Sequence, residues 1–307
     1  MTGRVALTGG SGFVGAAIID RLLENGFALS ALARDPRRLK RAGDVDVVKG
    51  GLSHAPALDR LADGATIFIH CAGLTHARRD AEFTAVNVEG ARLAARAARV
   101  AGAKFILISS LAARAPHLSA YAASKRAGEC FAEEAGEWLA LRAPAMYGPG
   151  DAATLPYFRM IKRGLAPEPA TEPVPRASIL FVSDFADAVL AAFDAPAGVV
   201  YEVGDDRPDG YTWREIGAAC AAAMKTDARP LRLPGWAMHG VAGPASAIAR
   251  LFGGAPMVTP GKVREFFHPD WAARDNLFIE AAGWRPATPL EEGFAKTARW
   301  YQENGLL

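Results

Sequence analysis

Residues 4–15 read Arg4-Val5-Ala6-Leu7-Thr8-Gly9-Gly10-Ser11-Gly12-Phe13-Val14-Gly15. The apolar run ending at Thr8 predicts a buried strand, and the periodic segment from Phe13 to Asn25 predicts a helix. Between them Gly9, Gly12 and Gly15 keep a G-x-x-G-x-x-G spacing. At such a junction the first glycine permits the tight turn and the second lets the backbone approach a pyrophosphate. The third lets helix and strand pack closely. The helix N-terminus presents free N–H groups and a partial positive charge to phosphates. Gly9, Gly12, Phe13, Val14 and Gly15 are therefore the predicted phosphate-binding residues. Glycine-rich turns are common, so the specificity lies in the placement at the first strand-to-helix junction.

Outward from this stretch, strands are predicted at Arg4 to Thr8, Ala28 to Ala33, Val45 to Val48, Thr66 to His70, Lys104 to Ser109 and Trp138 to Arg142. Most are continuous apolar runs, the pattern of parallel strands covered on both faces. Helical patterns at 13–25, 81–101 and 120–135 alternate with them, and Gly26 and Gly102 stand where a left-handed cap is wanted. The expectation is an α/β fold: a doubly wound parallel sheet with right-handed crossovers over residues 1–150. After Gly150 the rhythm breaks. Residues 151–307 are expected to form a smaller mixed α/β substrate region, with the chain crossing back to the sheet around 176–203. Residues 166–175, rich in proline, read as a loop. Beyond them come a strand at 178–182, a helix at 184–193, a strand at 199–203, and helices near 212–224, 235–252 and 289–304.

A dinucleotide is the ligand such a cradle suits, and the end of the second strand selects between its two forms. An acidic side chain there accepts from a ribose 2′-hydroxyl. Here Ala33 occupies the position and Arg34, Asp35, Pro36, Arg37 and Arg38 follow. Without the carboxylate, a 2′-phosphate meets no repulsion, and a guanidinium offers it a bidentate partner. Arg34 is the main candidate, with Arg37 or Arg38 assisting and the other an ordinary solvated charge. Asp35 reads as an N-cap before Pro36. NADP(H) is favoured over NAD(H).

Tyr121-Ala122-Ala123-Ser124-Lys125 sets a phenol and an ammonium four residues apart, hence on one helix face. A nearby cation stabilises phenolate, so the phenol can exchange a proton with a carbonyl or alcohol near neutral pH. Ser109-Ser110 ends the fifth strand, where a hydroxyl can hydrogen-bond a substrate oxygen. A lone Tyr-x-x-x-Lys is common on surface helices. Cradle, strand-ending serines and this pair in order are far more specific.

Together these segments resemble the short-chain dehydrogenase/reductase superfamily in its extended, epimerase/dehydratase-like branch, whose first domain is of Rossmann type. The resemblance runs over essentially the whole chain. It takes in His70-Cys71-Ala72-Gly73, Asn87-Val88-Glu89-Gly90, Leu141 to Gly150, Phe181-Val182-Ser183-Asp184 and Gly283-Trp284-Arg285-Pro286. It implies that Ser110 orients the substrate oxygen, that Tyr121 is the general acid/base and also contacts the cofactor, and that Lys125 tunes Tyr121 and binds the nicotinamide ribose. Ala72 and Gly73 would line the cofactor, Pro144 and Ala145 would meet the carboxamide, and Asn87 would tie helix to strand. The family often has an aspartate after the third strand for adenine. This chain has Gly50-Gly51-Leu52, leaving Leu52 to pack there. The resemblance also implies homodimer pairing through helices 81–101 and 120–135.

Composition bounds the rest. The 307 residues carry a net charge of +2, too balanced overall to argue for nucleic acid or an anionic membrane. Neither a secretory leader nor a run long enough to span a bilayer is apparent, and a cytoplasmic enzyme is expected. Cys71, Cys130 and Cys220 are unpaired in spacing and read as buried thiols of a reducing compartment. His70 reads as a packed strand end. His54, His239 and His268 show no metal-ligand spacing, and no metal site is expected. His76 and His117 fall near the sheet's carboxyl edge, where a substrate contact is an option. The segment Trp236 to Phe252, with Met238, Val241, Ala242, Ile248 and Leu251, has an apolar stripe read as core or dimer face, or as the wall of a greasy pocket.

The expected function is an NADP(H)-dependent oxidoreductase interconverting a carbonyl and an alcohol on a lipophilic or aromatic small molecule. Two alternatives stand beside it. One is a nucleotide-sugar epimerase or dehydratase using NAD, disfavoured by Ala33 and by the scarcity of basic residues for a diphosphate. The other is a non-catalytic NADP(H)-binding scaffold or sensor, disfavoured by the retained Tyr121–Lys125 pair.

Overall fold

The structure is a computed structural model that describes residues 3–251, 256, 258–275 and 277–307; of residues 245 and 247–251 only the backbone course is described. Strands β1 (Arg4–Thr8), β2 (Ala28–Ala33), β3 (Asp46–Lys49), β4 (Ala65–His70), β5 (Lys104–Ser110) and β6 (Trp138–Ala143) join the strand Val199–Glu202 in one sheet. Its order is Val199–Glu202, β6, β5, β4, β1, β2, β3, and every pairing is parallel. Parallel neighbours need crossovers, supplied by α1 (Phe13–Glu24), α2 (Ala55–Ala62), α3 (Asp80–Phe83), α4 (Glu89–Ala101) and α5 (Ala120–Ala132). The order reverses at β1, so the carboxyl ends of β1 and β4 open the crevice where doubly wound sheets bind ligands.

Two compact units make up the chain. The first comprises Met1–Ala143, Ala186–Glu202 and Leu277–Trp284; the second comprises Pro144–Phe185, Val203–Asn276 and Arg285–Leu307. In the first, Phe68 and Phe105 pack with Leu58, Leu61 and the alanine face of α4, where Ala91, Ala94, Ala95 and Ala98 are buried. Side chains this small let the helix lie close to the sheet. In the second, Phe158 stands at 5.6 Å from Phe294 and 5.2 Å from Tyr301, ring centre to ring centre, in edge-to-face pairs.

Four sequence expectations need correction. The helix expected over 81–101 is broken by a π-helical turn, Thr84–Val88, between α3 and α4. The proline-rich stretch read as a loop begins as a strand, Leu165–Ala170, parallel to Arg229–Pro234. The register explains how prolines are tolerated. Arg229 N–H donates to the Gly164 carbonyl at 2.9 Å, so residues 166, 168 and 170 and residues 229, 231 and 233 face the partner. Pro167, Pro169, Pro230 and Pro234 all fall in the outward phase, where no ladder donor is lost.

The third concerns the helix Gly235–Leu251. It buries Ala242 and Ser246 but leaves Trp236 81% and Val241 65% exposed. The core reading of those two residues therefore fails. Ile248 and Leu251 as side chains, and Phe252 altogether, lie outside the described residues. Cys220 is buried as expected, whereas Cys130 is exposed on α5, its thiol turned back toward the Arg126 carbonyl at 3.6 Å.

Candidate active site

The turn after β1 is built of backbone alone. Gly9 has φ +82°, and a Cβ there would stand 2.5 Å from the Ala72 nitrogen; a Cβ on Gly15 would stand 2.2 Å from the Gly9 oxygen. Both values are far inside van der Waals contact, so only glycine fits. Gly12 N–H donates to the Gly9 carbonyl at 3.0 Å and caps α1, which has no side-chain cap and no acidic residue in its first turn. The first-turn amides of α1 thus meet no competing side-chain acceptor, and the cradle suits the phosphates of a dinucleotide.

Across the switch point, Thr8 Oγ1 accepts from Ala72 N–H at 3.3 Å and bonds His70 Nδ1 at 2.9 Å. His70 is buried, and that burial, reinforced by the charge of Lys125, lowers its pKa to about 3. It stays neutral and is a strand-end packing residue. The loop beyond it is clamped by Asn87, which the π turn carries inward. Asn87 Oδ1 accepts from Leu74 N–H at 2.7 Å, while its Nδ2 donates to the Leu74 carbonyl at 3.0 Å and to Ser124 Oγ at 2.9 Å. Gly73 is close by: a Cβ there would stand 3.3 Å from Asn87 Oδ1 and 3.8 Å from Lys125 Nζ.

Ser110 sits at the end of β5 and its Oγ accepts from Ala112 N–H at 3.2 Å. That bond occupies a lone pair and leaves the hydroxyl proton to donate elsewhere. α5 starts at a Ser119 cap, whose Oγ accepts from Ala122 N–H at 2.9 Å. Tyr121 lies in its first turn with its ring 6.1 Å from that of Phe83. One turn on, Lys125 Nζ donates to the Ile108 carbonyl at 2.6 Å, which brings the ammonium to the carboxyl end of β5. Burial lowers the Lys125 pKa to about 8, against opposing effects of Cys71 and Glu129. The Cys71 thiol is pushed up to about 12 by burial, so it stays protonated and unreactive.

A further turn along α5 comes a group that the sequence reading did not single out. Glu129 is 1% exposed. It accepts from Ser109 Oγ at 2.6 Å, from Arg142 Nε and a terminal Arg142 nitrogen at 2.9 and 2.8 Å, and from Arg126 at 2.9 Å. Arg142 also lies 3.6 Å from Glu202, which pairs with Arg114 at 3.1 Å. Burial alone would raise the Glu129 pKa; the bonds from Arg142, Ser109 and Arg126 outweigh it and hold the carboxyl below its usual value. The signal was a carboxylate among Gly128, Cys130 and Phe131, one turn past Lys125. Its partners are remote in sequence.

At the end of β2, Ala33 is buried and Arg34 is exposed. A Cβ on Gly51 would touch the Arg34 Cγ and Cδ at 3.7 Å, so the arginine stem crosses the glycine loop. Asp35 caps the turn Pro36–Arg38 as expected, and it also holds the Arg37 guanidinium through two bonds of 2.9 Å. Arg37 is therefore engaged by Asp35. Leu52 packs on α4, where a Cβ on Gly90 would meet its Cδ1 at 2.9 Å. Pro144 and Ala145 open the second unit, and Ala145 starts a short strand paired in parallel with Ile179–Phe181. His76 is half-buried and bonds Thr75 at 3.0 Å, and His117 is exposed. Among the described residues, no group of three or more His, Cys, Asp or Glu is placed to hold a metal ion.

Comparison with known proteins agrees with this geometry. Residues 5–204 match the model of the NAD dependent epimerase/dehydratase family. Ceramide reductase of Caulobacter vibrioides is 41% identical over 99% of this chain and 96% of its own length. Among solved structures, MoeE5 in complex with UDP-glucuronic acid and NAD aligns with a TM-score of 0.74 at 20% identity, covering 98% of this chain and all of that one (100%). The Bordetella bronchiseptica enzyme WbmG in complex with NAD and UDP aligns at 0.75 and 18% identity, covering 100% and 97%. These two likenesses are of fold. With the family match, the parallel sheet and the near full-length reductase relative, the chain belongs to the NAD dependent epimerase/dehydratase family, as a nicotinamide-dependent oxidoreductase of the extended short-chain dehydrogenase/reductase type.

Proposed function

We propose that this enzyme reduces a ketone carried on a ceramide-type lipid, using NADPH. The observation that carries the reading is the 41% identity to ceramide reductase across 99% of the chain, joined to the retained Tyr121 and Lys125. Bound at the cradle, the nicotinamide would supply the hydride. Ser110, with its Oγ lone pair taken by Ala112, donates its proton to the carbonyl oxygen and orients it. Tyr121 protonates that oxygen as it gains charge, and Lys125 holds the phenol ready by its positive charge and binds the ribose. Gly9, Gly12, Phe13, Val14 and Gly15 take the pyrophosphate, Ala72 and Gly73 line the ribose side, Leu52 the adenine, and Pro144 and Ala145 the carboxamide. Substrate recognition is assigned to the second unit. Three free thiols support a reducing compartment, and we assign the enzyme to the cytoplasm.

The test follows nicotinamide absorbance with an oxo-lipid of ceramide type in detergent and, separately, with UDP-glucose. Turnover on the lipid alone is expected. Turnover on the nucleotide sugar alone overturns the reading.

The NADPH preference rests on Ala33 and Arg34, with Arg37 assigned at most a secondary role because Asp35 already holds it. Arg34→Ala is expected to weaken NADPH binding about tenfold to a hundredfold, the worth of a charged bidentate pair, with NADH binding unchanged. Fluorescence titration of both cofactors checks this, and an unchanged ratio refutes the assignment.

Lys125 gives a pH prediction. Its folded pKa, about 8, lies below the ordinary 10.5. The charge that favours the Tyr121 proton transfer is present below about pH 8 and lost above it, so kcat/KM for reduction should fall as pH rises through that value. The stability effect has the opposite sense. Between about 8 and 10.5 the unfolded chain binds the proton more readily, so this group's contribution to stability rises with pH there. A pH–rate profile flat through pH 9 would contradict the role.

A further inference from the structure

The helix Gly235–Leu251 shows water a face of unusual character. Trp236, at 81% exposure, is followed one turn on by Gly240 and another by Pro244, with Val241 beside them at 65%. Gly240, Pro244 and His239 are exposed too, and a Cβ added at Gly240 or Gly243 would meet nothing within 4 Å. Buried Ala242 and Ser246 mark the inner side. Not one residue from 235 to 244 is Asp, Glu, Lys or Arg, whereas the outer face of a helix in water ordinarily carries charge.

Along the sequence the flanks have one sign of charge, with Glu168 of the paired strand the acidic neighbour of Arg232. From Asp227 to Glu265 no acidic residue intervenes, while Arg229, Arg232, Arg250, Lys262 and Arg264 do. Arg229 and Arg232 are exposed on the strand that leads directly into the helix; the Arg232 side chain is 60% exposed, with its Nε 4.0 Å from the Glu168 carboxylate that Arg214 pairs more closely at 2.8 Å. The chain's near-neutral total conceals this local excess.

We propose that this face docks on the surface of a bilayer containing anionic phospholipid. Trp236 and Val241 enter the headgroup–acyl boundary, where an indole is well suited, and Arg229 and Arg232 meet lipid phosphates. The attachment lies on the membrane: no helix among the described residues is long and apolar enough to cross one. Charge selects the bilayer over a second copy of the chain, since a two-fold pairing of this face would set arginines against arginines. The inference needs only this helix and strand. It holds or fails separately from the lipid-ketone reading.

The test is flotation of the full-length protein with vesicles of phosphatidylcholine alone and of phosphatidylcholine with about one-third phosphatidylglycerol. Binding to the anionic vesicles is expected, about tenfold weaker for Trp236→Ala/Val241→Ser and for Arg229→Glu/Arg232→Glu. Both variants should keep wild-type circular dichroism and the wild-type unfolding midpoint. No flotation with anionic vesicles overturns the proposal, as does equal flotation of wild type and both variants. Equal binding to neutral vesicles overturns its electrostatic part. A size-exclusion shift from dimer to monomer in Trp236→Ala/Val241→Ser, with no vesicle binding by wild type, assigns the face to a second copy instead. Wild-type flotation without ketone turnover would count against the proposed reaction and leave the docking intact.

Discussion

Tyr121→Phe is expected to lower kcat/KM for carbonyl reduction by about 10²- to 10⁴-fold, the worth of a positioned general acid. The ring should stay where it is. It lies in the capped first turn of α5 with the Phe83 ring 6.1 Å away, and neither feature requires the hydroxyl. Circular dichroism should therefore match wild type, and rates taken at saturating cofactor isolate the loss to the chemical step. Steady-state rates at saturating cofactor measure it. A drop smaller than about threefold would remove Tyr121 from the proposed mechanism.

Glu129→Leu is expected to destabilise the fold by about 3–5 kcal/mol, the usual cost of breaking a buried ion pair from one side. The substitution strips Arg142 of two charge-assisted bonds and leaves the Ser109 hydroxyl without its acceptor. Glu129→Leu combined with Arg142→Met should recover part of that loss, because no orphaned guanidinium remains. Urea unfolding of the three proteins checks both statements. In the wild type the Glu129 pKa is depressed from 4.5. Its stabilising contribution is complete above that unfolded value and is lost only as pH falls through the lower folded one. Glu129 is also a positioning residue for the site, since it ties α5 to the end of β5 one turn beyond Lys125. Glu129→Gln keeps the shape but removes a charge that raises the Lys125 pKa. Its alkaline activity limb should move to lower pH, which a purely structural role would not produce.

Residues whose meaning is local were legible in the sequence. The turn at Gly9 to Gly15 joins β1 to α1 where spacing placed it, and Asp35 caps the turn at Pro36. The continuous apolar runs became parallel strands with ends moved by a residue or so. What was not legible depends on partners far along the chain. Glu129 finds Arg142 and Ser109 only once α5 packs on β5 and β6. The helix 81–101 reads as continuous because a π turn is defined by its backbone bonds, here Glu89 N–H to the Thr84 carbonyl, which an apolar pattern does not report. Within the apolar stripe of 236–252 the core reading failed for Trp236 and Val241 but held for Ala242, because periodicity reports an amphipathic face without saying which side meets water.

The two-stranded ribbon of Leu165–Ala170 and Arg229–Pro234 has a consequence for solubility. An exposed strand edge is a template onto which another chain can stack its own backbone. Here each outward edge keeps its carbonyls but lacks most of its N–H donors. Two of three outward positions on each strand are proline (Pro167 and Pro169, then Pro230 and Pro234). The ribbon is a poor template for further strands, which should limit edge-to-edge association in the half of the molecule that lacks a large sheet.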